Sequence, residues 1–422
     1  MATSAEAFVD ALLTKEAAEQ PSDTVKHADL VMELPEWFDE KKFNRGRSFY
    51  HDNCFALSSA MLMGLVAVFS IPSILRVLMG SRRSNSVYTA YKRYLSTLLH
   101  TITWFEHELK PGSLSWQSLY TVRSRHLRAS MSSKLKGTGP VSQRDLALTL
   151  FGFVGFTTLK PDMYGVRQLQ PGDWEAYNHV WKVIGHMIGL EDKYNICRDT
   201  YDETREVCRL LQERVFTPCL ENVPEHFEHM ARVMLDGLWS VNPTVDTEGF
   251  LYSCRVLADV PGYIYTEKDR VDLQARIKKQ LNGRSLDTGV ASTDLICPAA
   301  IEGLPKRPPR LLYYHDYDVI ETVPEYKALS FRSKYKIFFY NIYMALYSSY
   351  LGRLYFNLNF KFSVYLMRYF PYLAFFRFGI KKSFVNIFEE DPSDNTQPKL
   401  NSEYYKEYQP EPWYKVAWSI IW

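Results

Sequence analysis

The sequence predicts an all-α protein, a single large helical bundle followed by a basic, aromatic helical segment near the C-terminal end. Three observations predict it. The balance of 46% hydrophobic and 23% charged residues over 422 positions is that of a chain able to bury a large core. Apolar residues recur at helical intervals through most of residues 86–240. Clusters of Pro and Gly cut these runs into helix-sized lengths.

Residues 1–34 are polar and weakly amphipathic, interrupted at Pro21, Ser22 and Asp23, and read as a short helix and linker. The helical domain spans 35–281. Its residues 53–75 carry no charge, a length that suits either a buried helix or a membrane crossing of about 20 residues. Ser58, Ser59, Ser70, Pro72 and Ser73 favour the buried helix. A helix over 86–109 stops at Lys110-Pro111-Gly112, and a second, from Ser115 to Lys136, stops at Gly137-Thr138-Gly139-Pro140. Ser142-Gln143-Arg144-Asp145 has the form of a capping box for the apolar helix that Lys160-Pro161 closes. Asp173 opens a further helix in which Gly185 and Gly189 would admit a second backbone or a flat ligand. Two amphipathic helices follow over 200–220 and 223–240, joined through Pro218 and Pro224. Residues 282–325 form a Gly/Pro/Ser-rich linker, 326–388 the basic aromatic segment, and 389–422 an acidic, Pro-rich, mobile tail anchored by Trp413, Trp418 and Trp422.

The formal net charge of +2 gives no case for nucleic acid as a partner. Six cysteines lie scattered without metal-ligand spacing, which argues against a disulfide framework or structural zinc. Cys197, Cys208 and Cys219 recur every eleven residues, so one continuous helix would hold them near one buried face. The N-terminal residues lack a basic and apolar secretory pattern, and a cytosolic catalytic domain is expected. No phosphate-cradling, dinucleotide, zincin or serine-hydrolase motif occurs.

What remains is a set of histidines embedded in helices. His126 is flanked by Arg123, Arg125 and Arg128, and His179 lies two residues before Trp181. A neutral imidazole is the usual protein ligand of iron, and cations beside a haem pair with its propionates. A single helical histidine is nevertheless more often a hydrogen-bonded core residue, and clustered arginines are more often surface or ion-pair residues.

The order of several short motifs adds to this. Val122-Arg123-x-x-His126 is followed by Val141-Ser142-Gln143-x-Asp145-Leu146-x-x-Thr149 with Phe153, then by Tyr177-x-His179-x-Trp181 with Gly185 and Gly189. Phe43-x-Arg45-Gly46-Arg47 and Tyr91-x-Arg93-x-x-x-Thr97 precede them. Over residues 40–250 this series resembles the catalytic domain of the mpaB/rubber-oxygenase family, which includes the latex-clearing proteins. The resemblance implies an all-helical, globin-reminiscent fold holding haem b, dioxygen as oxidant, and oxidative cleavage of carbon–carbon double bonds in isoprenoid chains. It makes Arg123 and His126 the expected catalytic pair, with His126 a distal group or axial ligand where latex-clearing relatives have lysine. His179 is the second candidate for iron, Thr149 and Phe153 are expected to line the pocket, and Trp181 is expected beside the cofactor. The helix over Leu146–Leu159 carries no histidine, so if relatives draw a ligand from it, this chain departs from them.

From Tyr326 to Phe388 no acidic residue occurs, while Lys327, Arg332, Lys334, Lys336, Arg353, Lys361, Arg368, Arg377, Lys381 and Lys382 punctuate a Tyr/Phe/Leu-rich sequence. Such a segment either lies on an anionic membrane surface or packs its aromatics against the core. The expected function is a haem-dependent oxygenase acting on an unsaturated lipid at the cytosolic face of the endoplasmic reticulum membrane, with a cytoplasmic location as the alternative. The competing reading is an inactive family member that binds lipid or a partner, and a weaker one is a multi-pass membrane protein.

Overall fold

The computed structural model of the protein describes residues 4–25, 29–260, 263, 301 and 324–404. The expected linker at 282–325 falls almost wholly outside them, as do Trp413, Trp418 and Trp422. Among the described residues the protein is all-α, without a strand and with one isolated bridge between Pro21 and Ser142.

Helices α1 (Ser4–Leu12) and α2 (Lys15–Glu19) bury Ala5, Val9, Leu12 and Ala17 in the main core. The Ser22 N–H reaches the Val141 carbonyl (2.8 Å), so the N-terminal segment is tied to the bundle. α3 (Glu40–Asp52) starts under the Asp39 cap and meets α4 (Cys54–Val68) at a 91° bend. The charge-free run at 53–75 is therefore broken, because a turn at Phe69–Ile71 separates α4 from α5 (Pro72–Ser81), which begins on its proline. No single helix among the described residues is long and apolar enough to cross a membrane, although the bent pair α3 and α4 qualifies by length and composition.

α6 (Val87–Glu106) and α7 (Leu114–Leu135) form an antiparallel pair, and α8 (Gln143–Leu159) runs through the centre against α4. The crossing of α4 and α8 is set by two glycines. A Cβ on Gly64 would overlap the Gly152 carbonyl, so only glycine lets the backbones come this close. The expected capping box is present: Ser142 Oγ accepts from the Asp145 N–H (3.1 Å), and the Asp145 carboxylate accepts from the Ser142 N–H (3.2 Å).

α9 (Asp173–Met187) packs on α3, where Gly46 abuts the Ala176 carbonyl. Gly185 sits against Asn195, and Gly189 takes φ +103° to end the helix, so this pair serves chain packing and termination, not a flat ligand. α10 (Tyr201–Leu211) passes through a π-helical turn at Gln212–Phe216 into α11 (Thr217–Glu221). Cys197 precedes α10, so the three evenly spaced cysteines do not share one continuous α-helix, yet all three are buried. α12 (Phe227–Trp239) packs on α6, and α13 (Thr247–Leu257) on α4.

The C-terminal elements are α14 (Pro324–Ala328), α15 (Phe331–Tyr347), α16 (Tyr350–Tyr369), α17 (Tyr372–Phe378) and α18 (Ile380–Ser383). The inner face of α16 is pinned at the α3–α4 bend by Asn357. Its Oδ1 accepts from the Phe55 N–H (3.1 Å) and the Tyr347 hydroxyl (3.0 Å), and its Nδ2 donates to the Asp52 carbonyl (2.8 Å). A buried amide satisfied on both ends fixes register as well as contact.

Beyond α18 the acidic tail was expected to be mobile. Through Tyr404 it is instead fastened along the bundle: the Asp394 N–H donates to the Arg82 carbonyl (3.0 Å), Asn85 Nδ2 to the Thr396 carbonyl (3.1 Å), and Asn401 exchanges hydrogen bonds with residues 224, 225 and 228. Its acids have found arginines, a pairing no local pattern announces.

Candidate functional site around His126

α7 presents three different side chains to three different surroundings within one turn. Arg123 turns to the N-terminal segment, where its Nε donates to Asp23 Oδ2 (2.8 Å) with both groups largely buried. Arg125 turns to α6 and the tail. It reaches Ser96 Oγ (3.4 Å), His100 Nε2 (3.4 Å), the Ile387 carbonyl (3.0 Å) and the Glu389 carbonyl, with Asp391 at 3.7 Å. His126 lies between them, deep in the fold, and its Nδ1 is buried without a hydrogen-bond partner. The residue as a whole keeps intermediate exposure.

Burial pushes the His126 imidazole down to about 4, with help from the positive charges of Arg93 and Arg125, so it is neutral at physiological pH. A neutral, unpartnered imidazole deep in a protein is either an uncompensated loss of hydrogen bonding or a group awaiting a ligand.

α8 carries two further expected site residues. Between Ser142 and Thr158 every residue except Thr149 and Phe153 is buried, and their spacing of four places these two on one face. The Thr149 hydroxyl donates to the Asp145 carbonyl (2.7 Å), which leaves its oxygen free to accept. Trp181 of α9 lies against Phe153 (ring centroids 5.2 Å apart), Trp104 (6.3 Å) and Phe105 (5.7 Å). α7 packs mainly on α5, α6 and α9, whereas α8 packs mainly on α4, α10, α2 and α9, so His126 and the Thr149/Phe153 face belong to separate layers that α9 bridges.

His179 is not part of this arrangement. Two residues along a helix turn the side chain by about 200°, so the helix that aims Trp181 at Phe153 aims His179 away from it, at the start of α3. There His179 Nε2 accepts from the Asp39 N–H (3.1 Å), and the ring contacts Trp37 and Phe38. Burial, with Lys42 next, holds its pKa down at about 4. His179, the second candidate for iron, thus has its Nε2 engaged by the start of α3. Arg123, expected beside His126 in the site, is paired with Asp23 instead of standing free.

Sequence reasoning missed His100, Arg93 and the tail. His100 Nδ1 bonds to Ser118 Oγ (2.7 Å), which also accepts from Trp104 Nε1 (2.8 Å), and burial drives the His100 pKa to about 3. Arg93, Thr97 and His100 fall at i, i+4 and i+7 of α6, a polar stripe on an otherwise apolar helix that was legible as a pattern. Arg83 and Arg128 both pair with Glu390, closing the tail over the arginines.

Among the described residues no three His, Cys, Asp or Glu side chains are placed to hold a bare metal ion. The donor chemistry fits a haem on narrower terms: one neutral imidazole with an unpartnered nitrogen on α7, and no histidine on α8. Both nitrogens of His100 are already engaged.

Residues 48–264 match the family model described as the ER-bound oxygenase mpaB/B'/Rubber oxygenase catalytic domain. The rubber oxygenase of Streptomyces sp. (strain K30) is 26% identical over 231 residues, covering 51% of this chain and 53% of that protein. The chain thus spans about half the length of the curated relative it matches. A solved structure of latex clearing protein in the closed state aligns over 62% of this chain and 74% of that one, at 20% identity and a TM-score of 0.43. All six expected site residues lie inside the matched region, and the chain belongs to the mpaB/rubber-oxygenase family.

Proposed function

We propose that this protein is a haem-dependent oxygenase, an oxidoreductase that uses dioxygen to cleave or oxidise carbon–carbon double bonds of an isoprenoid-like or other unsaturated lipid at the cytosolic face of the endoplasmic reticulum. The observation that carries the reading is His126: a neutral imidazole with a buried, unpartnered nitrogen inside the family-matched region. His126 would hold the haem iron. Haem, when bound, supplies activation of dioxygen for attack on an alkene.

The chain's own residues do the rest. Burial, helped by Arg93 and Arg125, keeps His126 unprotonated, so its lone pair stays available, and the field of the two arginines favours negative charge that develops nearby. Thr149 offers a hydroxyl oxygen on an otherwise apolar helix face. Phe153, Trp181 and Trp104 exclude water and give an alkene an apolar, aromatic wall.

The test is turnover. Haem-loaded protein is incubated with a short polyprenyl alkene in air, and new carbonyl products are sought by mass spectrometry. The reading expects products from the parent and none from His126→Ala; equal yields from both would overturn it. A second reading, a lipid-binding member without catalysis, is favoured by the absence of histidine in Leu146–Leu159. It expects alkene binding without products.

A further inference from the structure

The C-terminal helices lie beyond the region matched to the family, and α16 has two faces of opposite character. Its inner face buries Arg353, Asn357, Val364 and Met367. Its outer face carries Leu351, Leu354, Leu358, Phe362, Tyr365 and Tyr369, spaced three or four residues apart and between 49 and 74% exposed. Phe376 and Ile380 extend this surface past the end of the helix, at 87 and 66% exposure. Single exposed apolar residues are ordinary, but a continuous stripe along a helix of 20 residues marks an interaction surface.

Charge selects the partner. Residues 326–388 contain ten Lys and Arg and no acid. Arg332 and Arg368 are neutralised by Asp246 and Glu106, whereas Lys361, Lys381 and Lys382 have no ion pair among the described residues. A second copy of the same face would bring like charges together. An anionic bilayer offers apolar depth to the leucines and Phe362, headgroup contacts to the tyrosines, and phosphates to the lysines. α16, though 20 residues long, is not apolar enough for a spanning helix, so it would lie in the plane of the interface.

We propose that the outer face of α16, continued by Phe376 and Ile380, is a membrane-interface surface that seats the protein on an anionic lipid leaflet. The test uses the full chain and sedimentation with vesicles of phosphatidylcholine alone or mixed with phosphatidylserine. The parent is expected to pellet with the mixed vesicles and at least about tenfold more weakly with the neutral ones. The double variant Leu358→Glu/Phe362→Glu is expected to lose at least about tenfold in binding with an unchanged far-UV circular dichroism spectrum, because both positions are exposed. Lys361→Glu and Lys381→Glu are each expected to weaken binding about fivefold on the mixed vesicles and little on the neutral ones.

A parent that stays in solution with both vesicle types overturns the proposal, as does a double variant that pellets like the parent. So does a parent that is dimeric and vesicle-free until the double substitution makes it monomeric. None of these readouts involves haem, so their failure is separable from failure of the oxygenase reading.

Discussion

Around His126 and around His179 the protein treats the charge of an imidazole in the same way and its lone pairs in opposite ways. Burial holds both near 4, and neighbouring cations help in each case: Arg93 and Arg125 at one, Lys42 and Lys182 at the other. His179 uses its neutrality to accept the Asp39 N–H and fasten the start of α3. His126 makes no such bond, and its Nδ1 is buried alone. A depressed pKa is thus common to a structural histidine and to a candidate ligand. What separates them is the inventory of partners.

The comparison breaks most sharply on haem affinity. His126→Ala is expected to weaken haemin binding by at least about 100-fold, the loss of an axial bond, while His179→Ala leaves it within about threefold. Titration followed by absorption checks both, and the reverse order would exchange the two roles.

Stability should show the opposite ranking. Removing His179 leaves the Asp39 N–H without its acceptor and empties the space beside Trp37 and Phe38, a loss of about 2 to 3 kcal/mol. His126→Leu removes an unsatisfied polar group and should raise the stability of the haem-free protein by about 1 kcal/mol. Urea unfolding of the two variants beside the parent measures both.

The pH dependence sharpens the point. The His126 pKa is about 4 in the folded protein against an ordinary 6.5, so below 6.5 the unfolded chain takes up a proton that the folded one refuses. The associated stability is intact above 6.5 and is lost as the pH falls toward 4. Between pH 7.5 and 5 the loss from this one group is about 2 kcal/mol. In His126→Leu the fall in unfolding free energy over the same interval should be smaller by that amount.

The smallest expected effect concerns the tail that covers the arginines. Burial raises the Asp391 carboxyl pKa even though Arg125, Arg93 and Arg83 pull it down, so its charge is not a net gain. Asp391→Asn should therefore change stability by less than about 1 kcal/mol. A thermal melt that falls by far more would mean that the pairing with Arg125 is worth more than its burial costs.

Local signals in the sequence carried the helices and their ends. Ser142 and Asp145 form the cap their spacing promises, and Gly137 takes a positive φ just past the end of α7, whereas α6 stops at Glu106, ahead of the Lys110-Pro111-Gly112 signal. What stayed hidden depends on partners far along the chain. Asp39 and His179 are 140 residues apart, Arg123 and Asp23 are 100 apart, and Arg125 meets the Ile387 carbonyl 262 residues away. No periodicity predicts which acid will reach which arginine. The crossing of Gly64 on Gly152 was hidden for the same reason, since neither glycine announces the other. The separation of His179 from Trp181 was open to view: two positions apart on a helix is opposite faces, and H-x-W cannot aim both rings at one cofactor.

Electron paramagnetic resonance of the ferric, haem-loaded protein tests the central claim most directly, because it distinguishes iron held by one imidazole from iron held by two. The account predicts a high-spin, single-imidazole signal in the parent, unchanged in His179→Ala and lost in His126→Ala. A low-spin bis-imidazole signal in the parent, or a high-spin signal that survives His126→Ala, would contradict it.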